Sequence, residues 1–260
     1  AGCLSVLTLN QTPVTLMEKV KGICEEAFDE VLDKMNRNYA RFLEATHHPV
    51  HKLPWSRKVV DFMTLYEEAK AAGGEAFERE YRSELKTLQQ KLENNEMTLL
   101  DCNFALLDFV YGYITDLSPR VVYGLIPPYY PNVSNRFITG LAPQIRSLDV
   151  DLDRFTRERF GQHYVSEEFY TGISDLSYTS ISNSEEISAA LSKSMPFYGT
   201  LYDIAISDIE TISMPCINIG PWGKDFHKLT ERVLKRDLCE RTPAIIQHAI
   251  GLVLADGDRQ

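Results

Sequence analysis

Between Val14 and Leu43 apolar residues return every third or fourth position. Leu16, Val20, Ile23, Cys24, Phe28, Val31, Leu32 and Met35 mark one side, and charged residues fill the other. This period predicts a long amphipathic helix with its stripe toward a core. Pro13 suits its first turn and Thr12 its cap. Residues 3–9 before it are apolar and β-prone. The helix is broken by Thr46-His-His-Pro-Val-His51, where Pro49 and the polar setting predict an exposed loop rather than a histidine cluster. A short strand is expected at 59–63 and a helix at 65–72, with Gly73-Gly74 as punctuation. A second amphipathic helix is expected at 75–92, with Phe77, Tyr81, Leu85, Leu88 and Leu92 as its stripe. Asn94-Asn95 interrupts, and a strongly apolar helix is expected at 99–117.

After Ser118-Pro119 the pattern changes. Residues 121–126 read as a buried strand, closed by Pro127-Pro-Tyr-Tyr-Pro131, where Tyr129 and Tyr130 form a packed corner. Residues 144–155 read as partly helical. From there loop, strand and helix alternate, as in an α/β sheet domain. The fold class expected is therefore α/β, with a helical elaboration ahead of the boundary. That boundary lies near 127–135, dividing the chain into 1–126 and 127–260.

Composition narrows the partners. At 260 residues, 44% of them hydrophobic, the chain is long enough to bury a core. A formal net charge of −10 and the lack of any Lys/Arg block argue against nucleic acid or an anionic lipid surface as partner. No apolar run reaches the roughly 18 residues of a membrane span. Cys3, Cys24, Cys102, Cys216 and Cys239 are odd in number and widely spaced, which predicts reduced, mostly buried thiols and a cytoplasmic setting. No C-x-x-C or C-x-x-H pair suggests a structural zinc site. The first residue is Ala1 rather than Met, and it opens directly into the strand-like run, so the start reads as a cut rather than a beginning.

Four stretches carry candidate chemistry, the Tyr129-Tyr130 pair between prolines being one, with the packed corner as its other reading. In Met214–Val233, Cys216, Ile217 and Ile219 read as a buried strand running into a turn of Gly220, Pro221 and Gly223. A helix is then expected to open near His227, carrying Glu231. Lys224, Asp225, His227, Glu231 and Arg232 crowd into nine residues, a density of titratable groups suited to a site. Imidazole is the commonest protein metal ligand, and a carboxylate at i+4 shares its helix face. A capping His and an exposed Glu beside a turn remain the other reading. Around Gly172, the Ser174-Asp175 pair reads as a strand end turning tightly with both side chains at its tip, or as a helix cap. Lys193–Thr200 is a Pro-Gly turn that suits a rim. P-loop, G-x-G-x-x-G, H-E-x-x-H and G-x-S-x-G motifs are all absent.

Gly172-Ile-Ser-Asp-Leu-Ser-Tyr178 and Asn218-Ile-Gly-Pro-Trp-Gly-Lys-Asp-Phe-His-Lys-Leu-Thr-Glu-Arg-Val233, at this separation, resemble the C-terminal half of M20-type metallopeptidases. Within them the likeness is to the subgroup called arginine utilisation protein RocB. Pro127-Pro-Tyr-Tyr-Pro131 and Leu7-Thr-Leu-Asn-Gln-Thr-Pro13 join the likeness, which spans essentially the whole chain. The resemblance implies an α/β zinc-binding catalytic domain interrupted by a lid or dimerisation domain. Residues 1–126 would be the later part of the lid, enlarged by helices, and 127–260 the end of the catalytic domain. It implies that His227 is one metal ligand and that Glu231 and Asp225 stand behind it. Gly172, Ser174 and Asp175 would form the turn beside the substrate. Two zinc ions, a small peptide or N-acyl or amino-acid-like substrate, a homodimer through the lid and a role in arginine or amino-acid catabolism are implied for the complete protein. The H-x-D ligand motif, the Glu-Glu pair and the general base would lie upstream of Ala1, in a missing N-terminal half, so this chain alone is expected to be inactive. Gln11, Leu176 and Ser177 stand where many members have Arg. That departure leaves a second reading open, a non-catalytic binding or assembly module retaining the fold.

Overall fold

A computed structural model describes residues 2–170, 172 and 174–254; the Asp175 side chain lies outside the described residues. The chain divides into two compact units that interleave along the sequence. One comprises Asn10–Pro131 and Asn183–Asp208, the other Ala1–Leu9, Asn132–Ser182 and Ile209–Gln260. The class is mixed but weighted to helix, and the sheets among the described residues are both two-stranded.

The first unit opens with α1, Pro13–Ala45. Thr12 caps it: the Thr15 N–H donates to Thr12 Oγ1 at 3.3 Å, and the Thr12 N–H donates back to Thr15 Oγ1 at 3.1 Å. That reciprocal box satisfies N–H groups the helix start would otherwise leave open. The expected stripe is split. Leu16, Met17 and Leu43 are buried, whereas Ile23, Val31 and Met35 are exposed. β1 (Val59–Asp61) pairs in parallel with β2 (Val121–Tyr123), Val60 opposite Val122. Asp61 then caps α2 (Phe62–Glu93), accepting the Thr64 N–H at 2.8 Å, and it pairs with Lys193 Nζ at 3.1 Å. Lys193 lies on α6 (Ser184–Ser194), which the short α7 (Ile206–Thr211) follows in the chain, so the residue expected at a rim is bound at a helix start instead.

Gly73-Gly74 punctuates α2 as expected, two helical runs meeting there at a kink. At Gly74 the backbone takes φ 56° and ψ −141°, a conformation side chains resist. Gly73 is small for a different reason: a Cβ there would stand 2.6 Å from the Tyr113 ring. The bend lets α2 turn back on α3 (Leu99–Tyr111), which is shorter than expected. Between them lies an aromatic core in which Phe77 meets Tyr66, Tyr81, Phe109 and Tyr113, with Leu65, Leu88 and Leu106 fully buried around it. Burial pushes the Tyr81 hydroxyl well above its usual range and raises the Cys102 thiol.

The second unit is built on α5 (Leu148–Phe160) and α8 (Thr242–Leu254), preceded by the single turn α4 (Pro143–Arg146). Leu148, Leu152, Ile245 and Ala249 form its core, joined by Phe155, Tyr164 and Ile219. The Phe155 ring stacks on His248 with centroids 4.0 Å apart. Asp153, midway along α5, accepts from the Tyr164 N–H at 2.9 Å and contacts His163 Nδ1 at 2.8 Å. Two expectations fail in this unit. Residues 3–9 form no strand and are largely exposed. Residues 216–219 are irregular, because no neighbouring strand among the described residues offers a ladder. The cysteines are free as expected, but Cys3 and Cys239 are exposed rather than buried. Among the described residues, no helix is long and apolar enough to cross a membrane.

Candidate functional site

The segment around His227 folds as a hairpin, not as strand, turn and helix. β3 (Gly223–Lys224) pairs antiparallel with β4 (Arg232–Val233), Gly223 opposite Val233 and Lys224 opposite Arg232. The glycine admits a close crossing, since a Cβ on Gly223 would meet the Arg232 carbonyl at 3.0 Å. No helix opens at His227 because the tip backbone is left-handed, with φ 58° at Asp225 and φ 60° at His227. Such angles cost a non-glycine residue roughly 1 kcal/mol or more and cannot continue a right-handed helix.

Side chains of the tip hold that shape. Asp225 accepts from the Thr230 hydroxyl at 3.1 Å and from the Arg232 guanidinium. The Lys228 N–H donates to the Asp225 carbonyl, and the Glu231 N–H to the Lys228 carbonyl, each at 3.0 Å. Glu231 reaches back to His227, but to its backbone: the N–H donates to the carboxylate at 3.2 Å. The His227 ring is exposed and lies edge-on to Phe226, with centroids 5.5 Å apart. The His–Glu spacing therefore works as a turn clasp, and Asp225 braces Arg232 rather than the imidazole. Only the expected helix face is absent here, because i+4 brings side chains together only on a helix.

The hairpin base is fastened by a residue that the sequence did not single out. Asp237 accepts the Trp222 N–H at 3.2 Å and the Arg241 guanidinium at 2.6 Å. The Asp237 and Arg241 side chains are only 5% and 11% exposed, and Arg241 Nε has no partner. They stand four apart in the π-helical turn Asp237–Arg241, which leads directly into α8. The i+4 Asp–Arg spacing was the available signal, but exposed pairs so spaced are common and nothing in the sequence marks this one as buried.

The Gly172 turn lies in the same unit. Ser174 caps the 3-10 turn Asp175–Tyr178, its Oγ accepting the Leu176 N–H at 3.3 Å, so the cap is the serine where an aspartate cap was the alternative expected. A Cβ on Gly172 would press to 2.9 Å from the Tyr170 ring. The two motif segments are joined just beyond this turn. The Met214 N–H donates to the Thr179 carbonyl at 2.9 Å, and the Ile181 N–H to Ser213 Oγ at 3.3 Å. Asn135 clasps Cys216 from both sides, accepting its N–H at 2.9 Å and donating to its carbonyl at 2.8 Å. This amide occupies the place of a strand neighbour, and no local pattern announced it. Among the described residues, no hydrogen bond or ion pair joins His227 or Glu231 to Gly172 or Ser174.

A zinc site needs about three protein ligands. Among the described residues, no group of three or more His, Cys, Asp or Glu stands close enough to hold a metal ion. His227 offers one exposed imidazole, and its nearest carboxylate is engaged by the backbone, so these residues do not by themselves compose a zinc site. An apolar groove of about 420 Å³ in this unit is lined by Leu148, Ile217, Ile219, Ile246, Ile250 and Val253 among others, and by none of the candidate site residues.

Comparison with known proteins gives two relatives in Bacillus subtilis (strain 168). The uncharacterized protein YqjN is 24% identical over 259 residues, covering 98% of this chain and 44% of the relative. Protein RocB is 23% identical over 238 residues, covering 91% of this chain and 41% of the relative. The chain thus spans less than half the length of the curated relatives it matches. No family model and no solved structure matches. Along nearly its whole length, this chain is similar to YqjN and RocB.

Proposed function

We propose that this chain is the C-terminal part of an M20-type, zinc-dependent amide- or peptide-bond hydrolase of the RocB kind. The observation that carries the reading is the similarity to RocB over 91% of the chain, which includes both C-terminal motifs. In this reading residues 127–260 end the catalytic domain and residues 1–126 belong to a lid. The substrate is a small peptide or an N-acyl or amino-acid-like molecule, met in arginine or amino-acid catabolism in the cytoplasm.

His227 is the residue of this chain assigned to the metal centre. The remaining ligands and the general base belong to sequence that this chain does not contain. The exposed ring on a braced hairpin tip supports that assignment: the Asp225–Arg232 pair and the Glu231 clasp fix the backbone while leaving the imidazole nitrogens uncommitted among the described residues. Asp225 and Glu231 then act as positioning residues. Gly172, Ser174 and Asp175 are assigned to the substrate side.

The test uses a polypeptide of the relatives' full length. Metal content and hydrolysis of a panel of dipeptides and N-acyl amino acids are measured together. About two zinc ions per chain and turnover are expected, with His227→Ala losing one zinc and nearly all turnover. Unchanged activity in that variant would sink the assignment. Absence of both zinc and hydrolysis in the wild type would favour the non-catalytic module, for which Gln11 and Leu176 in place of Arg already speak.

A further inference from the structure

The stretches leading into the two candidate segments are irregular: residues 165–170 run toward the Gly172 turn and residues 213–222 toward the His227 hairpin. Among the described residues, the only hydrogen bonds made within 215–221 are those of the Cys216 main chain, and both go to the Asn135 amide. Within 165–170 the only ones are those of the Glu168 carboxylate. It accepts from Ser134 Oγ at 2.9 Å, and Arg136 meets both its oxygens, Nε at 2.6 Å and Nη1 at 3.0 Å. The Arg136 guanidinium also lies over the Phe137 and Phe169 rings, 5.1 and 5.8 Å from their centroids.

Ser134, Asn135 and Arg136 thus hold both stretches, across 34, 81 and 32 residues of sequence. Their own shape is fixed locally. Asn135–Phe137 is a single 3-10 turn capped by the buried Ser134, whose Oγ accepts the Arg136 N–H at 3.3 Å while its hydroxyl donates to Glu168. The turn sends the Asn135 amide to one stretch and the Ser134 and Arg136 side chains to the other. A stretch without a ladder takes its position from whatever satisfies its polar groups, and here one turn does so for both.

We propose that Ser134, Asn135 and Arg136 are positioning residues, a two-armed strut that places the His227 hairpin with one arm and the Gly172 turn with the other. The strut rests on these contacts alone; a catalytic consequence for it rests on the hydrolase reading. On the hairpin side the chain is held by Asn135 at Cys216, by the core of the unit at Ile219 and by Asp237 at Trp222. Loss of the amide leaves the last two, so the hairpin keeps its fold and gains freedom. The Met214–Thr179 bond joins the two segments further along, so cutting either arm loosens one end rather than the whole unit.

The arms are different side chains and can be cut one at a time, with Asn135→Ala and Arg136→Met. Pulsed electron–electron spin resonance on this chain, its five cysteines replaced, reads the two placements separately. Labels replace the exposed Val150 on α5 and either the exposed Leu229 at the hairpin tip or the exposed Val165 before the turn. Asn135→Ala should widen the 150–229 distance distribution about twofold and leave 150–165 as in the wild type, and Arg136→Met should do the reverse. Far-UV circular dichroism should match the wild type in both. Distributions that stay unchanged, or that widen together in either variant, would overturn the strut. In a polypeptide of the relatives' full length, Asn135→Ala should lower kcat about tenfold with KM unchanged, and Arg136→Met should raise KM about tenfold with kcat unchanged. Arg136→Lys should recover part of the KM, because it keeps the charge facing Glu168. Distances that part as expected in a protein without turnover would uphold the strut and bring down the hydrolase reading.

Discussion

Removing the Asp237 carboxylate tests what holds the His227 hairpin in place. The carboxylate joins the Trp222 N–H to the Arg241 guanidinium at a position where both charged side chains are almost fully buried. Asp237→Ala strips the partner from a guanidinium whose Nε already lacks one. Breaking one side of such a buried pair costs about 3–5 kcal/mol, mostly as the penalty of leaving the other charge uncompensated. The freed Trp222 N–H is half-exposed and adds less, about 1 kcal/mol at most. A total near about 3 kcal/mol follows, taking the lower end because Arg241 retains some solvent. The companion change Arg241→Met removes the orphaned charge and keeps the stem, so Asp237→Ala/Arg241→Met should be more stable than Asp237→Ala alone by about 1–2 kcal/mol. Urea unfolding followed by fluorescence is the assay. Trp222 stands at the hairpin base, and Trp55→Phe leaves it as the single reporter, because the chain has two tryptophans. A single-variant cost below about 1 kcal/mol, or a double variant no more stable than the single, would refute the argument that this is a buried, mutually dependent pair.

Two further changes read other parts of the framework. Gly74→Ala should destabilise by about 1–3 kcal/mol through its backbone angles alone, since a Cβ there meets nothing within 4 Å, whereas Gly73→Ala should do so by collision with the Tyr113 ring and with the Phe77 Cβ; a urea series in which Tyr113→Ala relieves part of the Gly73→Ala cost and none of the Gly74→Ala cost would separate the two causes. Asp153 is held down to about 2, first by the Tyr164 N–H and then, against burial, by Arg157 and His163. Its stabilising contribution is complete above the ordinary carboxylate pKa and lost as pH falls through about 2, so the urea midpoint should fall less in Asp153→Asn than in the wild type between pH about 4 and pH about 2; equal falls would remove Asp153 from the acid response.

Where local pattern and burial agree, the fold was legible. The Thr12 cap, the helix start at Pro13 and the Phe77–Leu88 stripe follow from periodicity and capping chemistry, and the structure forms each of them. Periodicity does not say how much of an apolar face is covered. The row from Ile23 to Met35 was read as core because it is apolar at helical spacing, yet it stands in solvent in this chain. The same limit explains residues 216–219. Alternating apolar residues indicate readiness for a ladder, but a strand exists only if a neighbour donates the other half of it. Here the Asn135 side chain takes that place at Cys216.

The helix expected at His227 is the step at which pattern and structure part. The spacing of His227 and Glu231 has meaning only once the backbone between them is known, because four residues bring side chains together on a helix and bring a side chain to a main-chain N–H in a turn. The cue against a helix lay just upstream, in Gly220-Pro221 and Gly223, which were read as the turn before the helix rather than as part of a hairpin. Asp225 is a residue type that tolerates left-handed angles, and Thr230 and Arg232 lie within reach to hold it there. Taken together these residues specify a tip, and a tip presents one ring outward without gathering further ligands around it. Any metal chemistry at His227 would therefore draw its other ligands from residues distant in sequence, which local spacing cannot supply.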